Sequence, residues 1–458
     1  MISRSNTRNH RRARPRTTAD SLAATSINSR LRSTSVAPRT VVNISSAVSR
    51  LVRTLLWTLT LSTSTHALAW EATIERDALG VPHIFGETDA DMAYGLAWAQ
   101  SEDGWEILEE TLPYYRGNAA SFFGREAAVT DYLIQWLGFW EVIDRDYDTL
   151  LKPETREYLD AFAAGFNDFA ARHPERVNLD VLPVTPQDVV AAHMFRHPLF
   201  YGFEKPLTEL RAEARQQEVS PAPQLPNTAI TLGSNATAVA PSRSRDGSTL
   251  LMINSHQPLT GPVSWYEVHL QSGEGLNVMG GLFIGSPALG VGFNQHHGWG
   301  ATVNQPDLVD VYVLEMDPED DNRYRVDDEW LVLESFDIPI KVLLWGWLPW
   351  TVKEKGYRSI HGPVMKTDHG TYALRYAGMD EIRQVEQWLA MSAAASFAEW
   401  REAMALQHIA SFNFVYANAD GDIHFVHNAM MPRRAVGWQW DQYLPGNRRD
   451  LIWDDYLT

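Results

Sequence analysis

No cysteine occurs anywhere in the 458 residues. That excludes a thiol nucleophile, disulfides, and Cys-ligated zinc or iron–sulfur centres. Any covalent catalyst must be Ser, Thr, Lys, Asp or Glu. A chain without thiols is also compatible with an oxidising compartment. No apolar run reaches the ~18 to 20 residues that a membrane-spanning helix takes, and there is no internal repeat. Acidic residues are nearly missing from the first 69 positions, where eleven arginines face only Asp20, a net +10. The whole chain carries −18, so the remainder carries −28. A body this acidic repels phosphate backbones, and no nucleic-acid partner is expected.

The residues present are those of an ordinary globular protein. Apolar residues make up 45% and charged residues 21%, which excludes a wholly disordered or collagen-like chain. Seventeen tryptophans suit an aromatic-lined core or pocket. Residues 1–47 are rich in Arg, Ser and Thr without apolar periodicity and read as a disordered basic extension. They suit a presequence or an upstream start better than a nucleic-acid arm. Residues 48–69 read as a signal peptide, with Arg50 and Arg53, a short apolar stretch from Thr54 to Leu61, and the small-x-small end Ala67-Leu-Ala69. Cleavage after Ala69 places the mature protein in the periplasm or outside the cell, with no membrane contact after signal removal.

From Trp70 the pattern becomes that of a folded domain. Ala72–Arg76 alternates like a strand, and Gly80-Val-Pro-His-Ile-Phe-Gly86 reads as a turn and a second strand. Apolar steps of three and four predict helices over Asp89–Leu108, Pro153–Ala171 and Pro186–Phe200. Residues 70–210 thus form a mostly helical part. Residues 211–233 are polar and proline-rich and read as an exposed spacer. After it lie short alternating segments, Ala236–Ala240, Thr249–Ile253, Trp265–Gln271, Leu276–Met279, Asp310–Glu315 and Thr371–Tyr376. These predict an antiparallel, strand-rich part over 234–458.

The spacer ends in Thr231-Leu-Gly-Ser-Asn-Ala-Thr-Ala-Val-Ala240. Attack of the Ser234 hydroxyl on the preceding carbonyl would cut the chain and leave Ser234 as an N-terminus. Its α-amine, with a reference pKa near 7.7–8.0, could then act as base for its own hydroxyl. Taken alone, Gly-Ser-Asn at a loop–strand junction is usually just a turn.

The motifs that follow narrow this choice. They are Asn254-Ser-His-Gln-Pro258, Gly261-Pro-Val-Ser-Trp-Tyr-Glu-Val-His269, Gly280-Gly-Leu-Phe-Ile-Gly-Ser-Pro287, Gly292-Phe-Asn-Gln-His-His-Gly-Trp299 and Ala301-Thr-Val-Asn-Gln-Pro-Asp-Leu-Val-Asp-Val-Tyr312. With Gly80-Val-Pro-His-Ile and Tyr94-Gly-Leu-Ala-Trp-Ala-Gln100, in this order and spacing, the chain from Glu71 onward resembles the penicillin acylase family of Ntn hydrolases. It is most similar to the branch containing acyl-homoserine-lactone acylases and other N-acyl amidases.

The resemblance implies an α+β fold, an αββα sandwich of antiparallel sheets with a helical N-terminal part. It implies an amidohydrolase that cleaves N-acyl amides, of penicillin type or acyl-homoserine-lactone type, through Ser234 exposed by autocatalytic loss of the spacer. The product would be a self-derived heterodimer of a helical and a β-rich chain, and no cofactor is required for the chemistry. His256 matches a histidine that supports the serine amine, with Gln257 the neighbouring candidate. The Val303 backbone N–H and the Asn413 side chain match the two halves of an oxyanion hole. Arg434, or adjacent Arg433, matches an arginine near the nucleophile. Asp307, the Val309 carbonyl and Asp310 match a structural calcium site that Glu204 would complete; an Arg-paired loop is the other reading. His296 and His297 are neighbours whose side chains point apart, so they are read as structural. Trp330, Trp345, Trp347 and Trp350 read as a packed hairpin, and the resemblance allows them to line an acyl pocket. The family's second chain is longer than 234–458, so the sandwich is expected to be incomplete at the C-terminus. The alternative to an enzyme is a truncated, non-catalytic remnant or binding protein.

Overall fold

A computed structural model describes residues 70–217, 219 and 233–457. The expected basic extension, the signal peptide and most of the spacer lie outside the described residues.

Thr88 opens the first long helix, Asp89–Tyr115. Its hydroxyl accepts from the Asp91 amide, and the Asp91 carboxylate accepts from the Thr88 amide, a reciprocal cap. The helix runs beyond Leu108 and departs from helical geometry at Gly104, where φ is −148°. Pro153–Arg172 packs along it. The two meet at Gly165, where a Cβ would stand 2.4 Å from the Tyr94 carbonyl oxygen, so the contact needs glycine. The third helix is Pro186–Arg196, and His197–Phe200 continues as a 3-10 turn. It stops short of the predicted end because Pro198 has no N–H to return to the preceding turn.

The largest sheet has eight strands. Their order is Ala72–Arg76, Pro82–Gly86, Trp265–Ser272, Asn277–Phe283, Val291–Asn294, His297–Thr302, Ser411–Asn418 and Ile423–Ala429. A second sheet of six strands joins Glu334–Leu344, Leu348–Ser359, Gly362–Thr367, Gly370–Tyr376, Val309–Val313 and Leu444–Pro445. The pairing is antiparallel except at two places. Pro82–Gly86 runs parallel to Trp265–Ser272, and Leu444–Pro445 runs parallel to Val309–Val313. Hairpins enforce antiparallel neighbours, but these strands are joined by long excursions that permit parallel entry.

Ser234–Val239 and Leu250–Ser255 form a separate two-stranded hairpin. It lies across one face of the large sheet, over two glycines. A Cβ on Gly298 would meet Leu251 Cδ2 at 2.8 Å, and one on Gly300 would meet Ile253 Cγ1 at 2.6 Å. The opposite face of the same strands carries helices. Trp388, on helix Gln384–Ala393, packs at 5.7 Å edge-on to Phe414. The order is therefore helices, sheet, second β layer, in an α+β fold. One buried core runs from Ile84 to Tyr443 and joins the helical part to the strand-rich part.

The tryptophan hairpin differs from expectation. Trp345, Trp347 and Trp350 are 79%, 71% and 59% exposed at the tip of Glu334–Leu344 and Leu348–Ser359, while Trp330 belongs to another strand, Glu329–Val332. The turn residues Trp345 and Gly346 both have positive φ and project the tip outward. Among the described residues, no helix is long and apolar enough to cross a membrane.

Candidate functional site

Side chains alternate along a strand, and this decides where the hairpin presents Ser234. Leu251 and Ile253 sit over Gly298 and Gly300. Two residues further, Ser255, paired with Ser234, reaches the level of Thr302. Thr302 is itself paired with Asn413 on the neighbouring strand. Ser234 and Ser255 accordingly line one cavity together with Ala301, Val303 and Gln257. The cavity volume is about 50 Å³. At roughly 10–15 Å³ per water centre it holds a few waters.

The Asn413 amide nitrogen lies 3.3 Å from Thr302 Oγ1 and 3.4 Å from the Val303 carbonyl oxygen. Both are longer than the usual N–H···O range, which leaves that nitrogen weakly committed beside Val303. Its other end is fixed, since Asn413 Oδ1 lies 2.9 Å from His427 Nδ1. The loop after Val303 is braced by Asn304, which donates to the Asn428 carbonyl at 2.8 Å and accepts from Ser411.

His256 is exposed, and its Nε2 lies 3.2 Å from both Asn235 Nδ2 and Asn254 Nδ2. Asn235 and Asn254 occupy the face of the hairpin opposite to Ser234 and Ser255. The next residue, Gln257, is the one that enters the cavity.

Arg434 is not among the residues lining the cavity. Its Nε reaches Asp310 Oδ2 at 3.0 Å and its Nη1 reaches Asp307 Oδ2 at 2.9 Å. Asp310 is completely buried and also accepts from Trp453 Nε1 at 2.5 Å. Burial pushes the Asp310 carboxyl up, and the guanidinium opposes that shift. Neighbouring Arg433 instead pairs with exposed Asp455 at 3.1 Å. Asp307 and Asp310 thus hold a guanidinium. Among the described residues no group of three or more acidic or histidine side chains is placed to hold a metal ion. The donor set at Asp307, Val309 and Asp310 fits the arginine rather than calcium.

His296 is exposed and His297 buried against Tyr416, their rings 5.2 Å apart, so the two neighbours do point apart.

Several cavity residues were not singled out from the sequence. His193, Arg196 and His197 come from one face of the third helix and its 3-10 extension. Their spacing of three and four is the signal that was available. Burial pushes the His197 imidazole down to about 4 and that of His193 well below its usual value, so both are neutral near pH 7. The apolar walls come from Phe200, Trp265, Phe283, Trp388 and Phe412.

With this geometry in place, comparison with known proteins assigns the chain to a class. Residues 71–458 match the family model for penicillin amidase, and the chain belongs to that family. It is 28% identical over 395 residues to an acyl-homoserine lactone acylase PvdQ of Pseudomonas fluorescens strain Pf0-1, covering 79% of this chain and 50% of that protein. To an aculeacin-A acylase of Actinoplanes utahensis it is 22% identical over 406 residues, covering 80% of this chain and 51% of that one. A thermostable penicillin G acylase from Alcaligenes faecalis aligns with a TM-score of 0.41 and 24% identity, over 49% of this chain and 40% of that chain. The chain spans about half the length of the curated relatives it matches.

Proposed function

We propose that the protein is an amidohydrolase that cleaves N-acyl amides through Ser234 as an N-terminal nucleophile. The observation that carries this reading is the position of Ser234. It heads a strand, directly after the spacer, in a cavity shared with Val303 and beside Asn413.

In the maturation step the Ser234 hydroxyl attacks the Gly233 carbonyl. The peptide C–N bond breaks as the ester forms, which frees the α-amine of Ser234, and water then hydrolyses the ester to release the Gly233 carboxylate and restore the Ser234 hydroxyl. In turnover that amine takes the hydroxyl proton as Oγ attacks the substrate carbonyl. The oxyanion of the tetrahedral intermediate accepts from the Val303 N–H and Asn413 Nδ2, a pair of preorganised donors of the kind worth about 3–4 kcal/mol each. The amine product leaves with the proton, and water releases the carboxylic acid from the acyl-enzyme. The aromatic walls suit an acyl group, and Gln257, which lines the same cavity as Ser234, is the candidate support for the serine amine. The family and its relatives named as acylases support the amide bond as target. The leader reading of residues 48–69 supports periplasmic or secreted location, and the spacer reading supports a processed heterodimer.

The reading is tested with chromogenic acyl p-nitroanilides, comparing the wild-type chain with Ser234→Ala. Amine release by the wild type and none by the variant is expected. Equal release by both would remove Ser234 from the chemistry.

A further inference from the structure

The hairpin of Glu334–Leu344 and Leu348–Ser359 carries Trp345, Trp347 and Trp350 exposed at its tip. Leu344 faces Leu348 in the last pair, Leu343 faces Pro349, and Val342 faces Trp350. Trp345 and Gly346, both at positive φ, turn the chain beyond them. Among the described residues none of the three indole N–H groups makes a hydrogen bond. Phe123, also exposed, adjoins the tip, since a Cβ on its neighbour Gly124 would stand 3.4 Å from the Leu343 carbonyl oxygen. From Ile338 to Lys353 the sequence holds no acidic residue, and its charges are Lys341 and Lys353. Both lysines are exposed and form no ion pair among the described residues, whereas Lys355, further from the tip, pairs with Asp337. On the neighbouring turn Arg125 and Glu126 offset one another. The tip is thus apolar and basic on a chain that carries −28 from Trp70 onward.

We infer that this tip inserts into the interfacial region of a lipid bilayer bearing anionic headgroups. The inference goes beyond the amide-hydrolysis reading and does not rest on it. Exposed apolar patches mark contacts with proteins or with membranes. A projecting tip offers a protein partner neither a groove nor a flat face. An indole has an apolar ring and one N–H donor, so it is best placed where hydrocarbon meets headgroups. The lysines fit the same depth. At ~3.4 Å per residue, Lys341 sits about 10 Å behind the Leu344–Leu348 pair, and Lys353 two pairs further back. A tip sunk by ~5–10 Å therefore brings Lys341 to the headgroups, where an ammonium attracts anionic phosphate. From composition the same tryptophans read as a packed hairpin, and no membrane contact was expected of them.

The test is flotation of the protein with vesicles of phosphatidylcholine, alone or with one quarter phosphatidylglycerol. The chain beginning at Trp70 is used beside the full chain, because the arginines ahead of Trp70 attract anionic lipid by themselves. The wild type is expected to float with the mixed vesicles. The triple variant Trp345→Ser, Trp347→Ser and Trp350→Ser should bind roughly 10- to 100-fold more weakly. Its melting temperature should be unchanged, since the three side chains are exposed. Lys341→Gln with Lys353→Gln should weaken binding to the mixed vesicles by roughly 10- to 30-fold and leave binding to phosphatidylcholine as it was. Bromine-labelled lipid should quench tryptophan fluorescence in the wild type and less in the triple variant. A wild type that stays off both vesicles, or a triple variant that binds as tightly as the wild type, would overturn the inference. Self-association lost in the triple variant, without vesicle binding, would make the tip a contact between copies and overturn it too. None of these readouts needs turnover, so their failure is separate from failure of the amide-hydrolysis reading.

Discussion

Ser234 stands directly across the hairpin from Ser255, and both line the same cavity. Two hydroxyls therefore border the site, but only Ser234 follows the spacer and can become an N-terminus. Ser255 lies at the end of an internal strand and has no amine of its own to act as base. Ser255→Ala is expected to mature normally and to lose no more than about tenfold in kcat/KM, the scale of one neutral hydrogen bond. Mass spectrometry and initial rates check this together. A Ser255→Ala chain as inactive as Ser234→Ala would move the nucleophile.

Asn413 is expected to act in the transition state. Asn413→Ala should lower kcat by roughly 10²- to 10³-fold with little change in KM, as when one oxyanion donor is removed. A rise in KM with kcat unchanged would assign it to substrate binding instead.

Gly300 sets how closely the hairpin approaches the sheet. A methyl there would stand 2.6 Å from Ile253 Cγ1 and 3.3 Å from Ala236 Cβ. Gly300→Ala should cost about 1–3 kcal/mol by overpacking and displace Ser234 relative to Asn413. The expected result is a lower melting temperature with a disproportionate loss of activity. Unchanged activity would mean that the register of hairpin on sheet does not set the site.

Much of this was legible in the chain itself. The long helices announced themselves through apolar steps of three and four, and the strand-rich part through alternation. Ser234 follows a polar spacer and heads a strand, but that pattern alone reads as a turn, and it is the resemblance carried by the later motifs that singles it out. Other features depend on contacts between distant segments. The helix Gln384–Ala393 is buried on most sides, which hides its amphipathic period. His256 and Gln257 differ by one residue, and which of them faces Ser234 follows from strand alternation in the folded hairpin. Arg434 could be read beside the nucleophile until its guanidinium was seen between Asp307 and Asp310. The tryptophans of the exposed tip carried the composition of a core and the turn geometry of a surface.

The Arg434 arrangement predicts how calcium behaves. Addition of calcium or of a chelator should leave the melting temperature unchanged, because the guanidinium occupies both carboxylates. Arg434→Gln should destabilise by roughly 3–5 kcal/mol, since it strands buried Asp310. A calcium-dependent rise in melting temperature of the wild type would contradict this assignment.

Glu381 predicts the acid limb of stability. Burial alone would push its carboxyl up, but hydrogen bonds from His408 at 3.0 Å and from Arg383 outweigh it and hold it down to about 2. A depressed carboxylate stabilises above its unfolded value of ~4.3 and loses that contribution as pH falls toward 2. The contribution is roughly 3 kcal/mol from such a shift. Denaturant titrations at pH 6 and pH 3 should show the wild type losing more stability than Glu381→Gln. Parallel losses would refute the role.

The central claim is that the chain assembles its own nucleophile. It is tested most directly by the intact mass and N-terminal sequence of the purified product, beside Ser234→Ala. The account predicts a wild-type chain split into two, with one piece beginning at Ser234, and a variant that stays whole. A wild-type chain that remains uncut under the same conditions would contradict it and favour a non-catalytic member of the family.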